Sequence, residues 1–146
     1  GAAPAEWSLC MDARIGTPTA EIFLPENHIG LSISNASSYL LRRLVGGRAL
    51  RIILDSARLT PAEAQSAGLL DEIVDPDTLL ETAIGLVHHW TLPGTATAIH
   101  LKLLRPPLEE VERAFVIETE AARHLEETGI ARAGMTRFLN RPRQSP

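Results

Sequence analysis

Cysteine, aromatic residues and long apolar runs are what this chain has least of. One cysteine, Cys10, among 146 residues cannot close an internal disulfide, so nothing marks an oxidising compartment and a cytoplasmic location is expected. Phe, Trp and Tyr together make up 4% of the chain. A core must therefore be built from Leu, Ile, Val and Ala, with Cys10 expected as one more small buried residue. No apolar stretch reaches the roughly 18 residues of a membrane-spanning helix, and no signal-peptide pattern is visible. Basic residues are not in excess. A formal charge of −4, with acids and bases interspersed, argues against nucleic acid as a partner. His88 and His89 occupy adjacent positions and cannot face one site on a helix. No other His or Cys spacing looks like a metal site, so no metal is expected, and no bound cofactor is expected either. The chain opens on Gly rather than Met, which leaves a processed chain and a fragment of a longer protein both open.

What is present is one domain's length of chain with 45% apolar residues, the composition of a soluble globular protein. Pro4 suits the first turn of a helix, and Ala5–Met11 reads as a short one. Short strands follow at 12–16 and 20–24. Pro25 ends the second, and Glu26–Gly30 reads as a loop at the strand's end. From Ser34 the pattern turns helical, with Leu40, Leu41, Leu44 and Val45 on one face and Gly46-Gly47 as the stop. A short helix over 48–56 is expected to turn Ala49, Leu50, Ile53 and Leu54 inward. Thr60-Pro61-Ala62-Glu63 has the Thr cap, first-turn Pro and third-position Glu of a helix start. Gly68 closes that helix, Leu69–Val74 reads as a strand, and Asp77 is placed as the cap of a helix running to Trp90.

Beyond Pro93-Gly94 the reading is helical: 95–104, then 108–128, then 130–139. Leu108, Val111, Phe115, Ala122 and Leu125 recur at helical spacing in the second of these. The expected fold class is α/β, with a mixed part over residues 1–75 and an all-helical part over 76–146.

Two carboxylates stand out. Glu6 follows a small-residue run that opens a helix, and Glu26 stands just after Pro25 at a strand's end. Neither position needs a carboxylate for folding, although each has a plain structural use, Glu6 in a helix's first turn and Glu26 capping the next segment. Brought together, two such groups can perform general acid–base work on one substrate.

Met11–Ile15, Ala20–Glu26, Ile29–Leu31, Leu41–Gly46, Leu59–Val74 and Ala133–Arg141 resemble the second half of a crotonase, the enoyl-CoA hydratase/isomerase superfamily. The resemblance covers nearly the whole chain, and the Leu59–Val74 run of helix, Gly stop and strand is its strongest element. It implies the second half of a ββα spiral followed by a C-terminal helical region that builds a trimer or a dimer of trimers. It implies an acyl-CoA thioester as substrate, an enolate held by two backbone N–H groups, and a lyase of the hydratase type. Glu6 and Glu26 match the two Glu residues of the family's hydratases, which hold a water between them. Ala3 matches one of the oxyanion N–H donors.

The family's N-terminal half, which supplies the second N–H and much of the CoA site, has no counterpart here. A complementary N-terminal chain, or the rest of a precursor, is the implied partner. The family's glycine-rich helix start after Gly30-Leu31 is replaced by Ile33–Ser38. There Asn35, Ser37 and Ser38 are candidates to cap the helix or to meet a substrate. An isomerase, decarboxylase or hydrolase variant, or a non-catalytic half that stabilises an oligomer, stays open beside the hydratase. Lys102, Arg105 and Arg113 are weighed against CoA phosphates, with solvated helix faces as the simpler account.

Overall fold

The computed structural model describes residues 2–141. Its strands are brief and its helices carry most of the mass. In chain order come α1 (Ala2–Ser8), β1 (Ile15–Gly16), β2 (Ile22–Phe23), a 3-10 turn at Glu26–Ile29, α2 (Ser37–Val45), α3 (Arg48–Leu54), β3 (Arg58–Leu59), α4 (Pro61–Ala67) and β4 (Glu72–Ile73). A second 3-10 turn, Pro76–Thr78, leads to α5 (Leu79–Trp90), α6 (Thr97–Leu104), α7 (Leu108–Glu127) and α8 (Ile130–Leu139). Among the described residues no helix is long and apolar enough to cross a membrane.

β1 and β4 pair in parallel, with Ile15 opposite Glu72 and Gly16 opposite Ile73. A parallel pair needs a long crossover, and α2 to α4 with the β2–β3 pair supply it. The ladder is pinned at one end, where Arg14 N–H donates to Asp71 Oδ2 at 2.7 Å and Asp71 N–H donates to the Arg14 carbonyl at 2.8 Å. β2 and β3 pair antiparallel, Ile22 opposite Leu59 and Phe23 opposite Arg58.

α4 forms where its sequence says it should. Thr60 Oγ1 accepts from Glu63 N–H while Glu63 Oε2 accepts from Thr60 N–H at 2.9 Å, and Gly68 closes the helix at φ 88°. The core is aliphatic, with Leu24, Leu41 and Leu69 wholly buried, and Ala114 of α7 joins the same cluster as Ala5, Leu40 and Leu70.

Several sequence expectations are corrected. α3 buries Ala49 and Ile52, whereas Leu50 and Leu54 are exposed. Ile53 packs half-buried against the same core as expected, so the inner face is Ala49, Ile52 and Ile53, at i, i+3 and i+4. Asp77 caps nothing. It lies inside the 3-10 turn, and the cap position of α5 is Thr78, which makes no side-chain capping bond. Cys10 is exposed rather than buried, because α1 ends at Ser8 and leaves Cys10 in the following turn. On α7, Leu108 and Phe115 face outward, and the buried stripe consists of Val111, half-buried, with Ala114 and Glu118. β3 has no signature in the sequence, because two residues give no period to read and the strand exists through its pairing with β2.

Candidate active site

Glu6 is carried into the interior by its own helix. Ala5 and Leu9 face the core at i, i+4 spacing, and Glu6 lies beside them with 3% of its surface exposed. A carboxylate buried to that extent must be hydrogen-bonded. Ser34 N–H donates to its Oε1 at 2.6 Å. Ser34 Oγ–H and Asn35 Nδ2–H donate to Oε2 at 2.9 Å and 3.0 Å. All three donors come from one turn, the residues before α2.

Glu26 is placed by different means. Leu24 anchors the end of the β2 segment in the core, and Pro25 caps the 3-10 turn that Glu26 opens. The turn is held from two sides. Asn27 Nδ2–H donates to the Leu54 carbonyl at 2.8 Å and Ser56 Oγ accepts from His28 N–H at 3.2 Å. From the other side α8 presses in backbone to backbone, and a Cβ at Gly134 would stand 1.9 Å from the Ile29 carbonyl oxygen. Glu26 is 5% exposed, and its Oε2 makes no hydrogen bond among the described residues. Burial pushes its carboxyl above the ordinary carboxylate value; a backbone hydrogen bond of its own acts against this, and the nearby Glu6 charge acts with it. The two carboxylates are thus close enough to feel each other but differently furnished. Glu6 is surrounded by donors, and Glu26 is left with a bare oxygen and a raised proton affinity.

The turn that furnishes the donors to Glu6 is strained. Asn35 has φ 57° and Ala36 has φ 60°, left-handed values that Asn tolerates and Ala ordinarily avoids. Neither Ser nor Asn caps α2; its cap position is Ala36, with no side-chain capping bond. The cap comes from far along the chain. Glu118 of α7 accepts from Ala36 N–H and Ser38 N–H, each at 2.8 Å, through its two oxygens. Glu118 escaped the sequence reading because an acid on a long helix is usually solvated. The available signal was its place at i+4 from Ala114 and i+7 from Val111, a charge on the core-facing stripe.

Residues 2–145 match the family model described as enoyl-CoA hydratase/isomerase. This chain belongs to the enoyl-CoA hydratase/isomerase family, the crotonases. A stretch of 79 residues is 42% identical to a glyoxysomal fatty acid β-oxidation multifunctional protein of Cucumis sativus, covering 53% of this chain and 11% of that protein. The enoyl-CoA hydratase of Mycobacterium tuberculosis superposes with a TM-score of 0.71 at 26% identity, over 86% of this chain and 58% of that one. An enoyl-CoA hydratase/isomerase of Pseudoalteromonas atlantica gives 0.85 at 23% identity, over 98% and 60%. The chain therefore spans less than two thirds of each of these crotonases, and about a tenth of the Cucumis protein.

On this crotonase frame the remaining site residues fall as follows. Ala3 is the second residue of α1, in the first turn, where backbone N–H groups have no acceptor within the helix. Asn35 points at Glu6. Ser37 is wholly buried and its Oγ lacks a partner among the described residues. Arg105 forks onto Asp12 at 2.8 and 2.5 Å, while Lys102 and Arg113 lie exposed on α6 and α7. A cavity bounded by Ser34, Asn35, Phe115 and Glu118 opens beside the strained turn.

Proposed function

We propose that this chain provides the acid–base wall of an acyl-CoA site of the hydratase type. Water adds across the α,β double bond of an enoyl thioester. Glu6 takes a proton from the water as its oxygen bonds to the β-carbon, and protonated Glu26 delivers a proton to the α-carbon. The Ala3 N–H, at a helix N-terminus, helps hold the thioester oxygen as negative charge develops there. The second N–H and much of the CoA contact are supplied by a complementary N-terminal half. The observation that carries this reading is the unequal pair, with burial favouring the protonated form of Glu26 while Glu6 receives three donors. A proton donor and a proton acceptor side by side are what addition of water requires.

The test is hydration of a short trans-2-enoyl-CoA by the full chain with whatever co-purifies, followed by loss of the conjugated thioester absorbance. Glu26→Gln should reduce the rate by roughly 10² to 10⁴-fold. Full activity of Glu26→Gln on every acyl-CoA tried would remove the acid–base role. Migration of the double bond without uptake of labelled oxygen would assign an isomerase instead. Release of carbon dioxide from an acyl-CoA that carries a carboxylate on its α-carbon, supplied in place of the enoyl substrate, would assign a decarboxylase, and release of free CoA a hydrolase.

A second reading is favoured by the outer face of α5. Leu80, Ile84 and Val87 form one apolar stripe and are all exposed. On this reading the chain is a non-catalytic half-crotonase that stabilises an oligomer, a trimer or a dimer of trimers. In the acid–base reading the same stripe seats against copies of this chain or against the complementary half.

A further inference from the structure

Glu118 is the one buried carboxylate among the described residues that the proposed chemistry does not use. It is 5% exposed on α7, and a charge so placed would be costly were it not satisfied. Both oxygens are satisfied, each by a backbone N–H at 2.8 Å, one on Ala36 and the other on Ser38. These amides open α2, where N–H groups lack helical acceptors and the helix dipole favours an anion. The residues immediately before them, Ser34 and Asn35, furnish all three donors to Glu6. Four of the five residues from 34 to 38, all but Ser37, are therefore gripped by two buried carboxylates. One comes from α1 and the other from α7. Where the two grips meet, Asn35 held by Glu6 and Ala36 held by Glu118 are both left-handed. Strained backbone of this kind persists only where its surroundings over-determine it.

We infer that Glu118 is a positioning residue: it holds the left-handed turn in the form that aims Ser34 and Asn35 at Glu6. Its effect on any reaction passes through that turn and never through substrate. The inference rests on the acid–base reading only where turnover is concerned; the positioning itself is testable without it.

The test compares amide hydrogen exchange in the native protein with that in Glu118→Gln. The Gln side chain keeps one acceptor and sets an NH2 group against the other N–H. Exchange at Ser34, the donor to Glu6, should become about tenfold faster relative to Leu41 in the middle of α2. A role confined to helix stability would raise exchange at Ser34 and Leu41 alike. Ala114→Gly serves as that control, since it loosens the same α2–α7 packing without touching the turn, and its Ser34-to-Leu41 ratio should stay at the native value. If Glu118→Gln does not fold, Glu118→Asp, which withdraws the carboxylate by one methylene, makes the same comparison. An unchanged ratio in a folded Glu118 variant would overturn the inference. Turnover separates the two ideas. A fall in kcat with little change in KM, alongside the faster Ser34 exchange, supports both. Faster Ser34 exchange with native turnover supports the positioning and removes Glu6 from the chemistry.

Discussion

Glu26 is the residue whose surroundings say most about its chemistry. Because burial raises its proton affinity in the folded state, Glu26 binds its proton more tightly folded than unfolded. Its contribution to stability is fully present below the ordinary value of 4.5 and is lost as pH rises through the raised folded value. Glu26→Gln cannot ionise and does not suffer that loss. The urea midpoint of the variant should therefore rise relative to the native protein as pH increases above 4.5, the gap levelling off once the raised folded value is passed. A gap independent of pH would show that Glu26 is solvated and unshifted. At this scale the sequence was informative in one direction only. Glu6 and Glu26 were legible because each sits at the end of a local pattern, a helix start and a strand followed by Pro25. Glu118 was not, because its partners lie 80 or more residues away and its meaning depends on which face of α7 meets α2.

Among the elements, the 3-10 turn that carries Glu26 is the one most dependent on its neighbours. It is too short to hold itself, and its left-handed exit at Gly30, φ 74°, brings it against α8. The approach is possible only because residue 134 lacks a side chain. Gly134→Ala places a methyl group 1.9 Å from the Ile29 carbonyl oxygen. Backbone cannot yield as a side-chain tip can, so α8 and the turn must separate. The expected cost is roughly 2–3 kcal/mol, the upper part of the usual range for overpacking, read as a lower denaturant midpoint. Activity should fall further than stability alone accounts for, since Glu26 moves with the turn. A native midpoint for Gly134→Ala would mean that the two backbones are not in contact. Elements with self-contained signals were readable in advance. α4 was legible from Thr60 to Gly68 because its capping box and its Gly stop lie within the segment. The brief strands and the true inner faces of α3 and α7 were not, since pairing and packing partners decide them. The apolar residues of α7 have the right period, but Leu108 and Phe115 on the outside have the same character as Val111 and Ala114 on the inside.

For the whole molecule the informative feature is apolar surface that the chain does not cover itself. α5 and α6 contain no buried residue. Leu80, Ile84 and Val87 run along α5 at the spacing of one helix face and are exposed by 72%, 48% and 57%. Val116 is exposed on α7, on the side away from Ala114 and Glu118. Patches of this kind on a monomer ordinarily meet a partner. The chain also spans only 58–60% of the solved crotonases described above. Both arguments lead to one expectation. Native mass measurement should find this chain associated, with copies of itself or with a second polypeptide, and denaturation should release a second mass in the latter case. Ile84→Glu and Val116→Glu should weaken the association while leaving the helical signal of the folded chain intact. A second polypeptide that leaves on Ile84→Glu would identify the α5 stripe as the seat of the complementary half, and enoyl-CoA hydration should be lost with it. A pure homo-oligomer without activity would favour the non-catalytic half. A monodisperse monomer, unaffected by either charge, would mean that these faces are simply solvated.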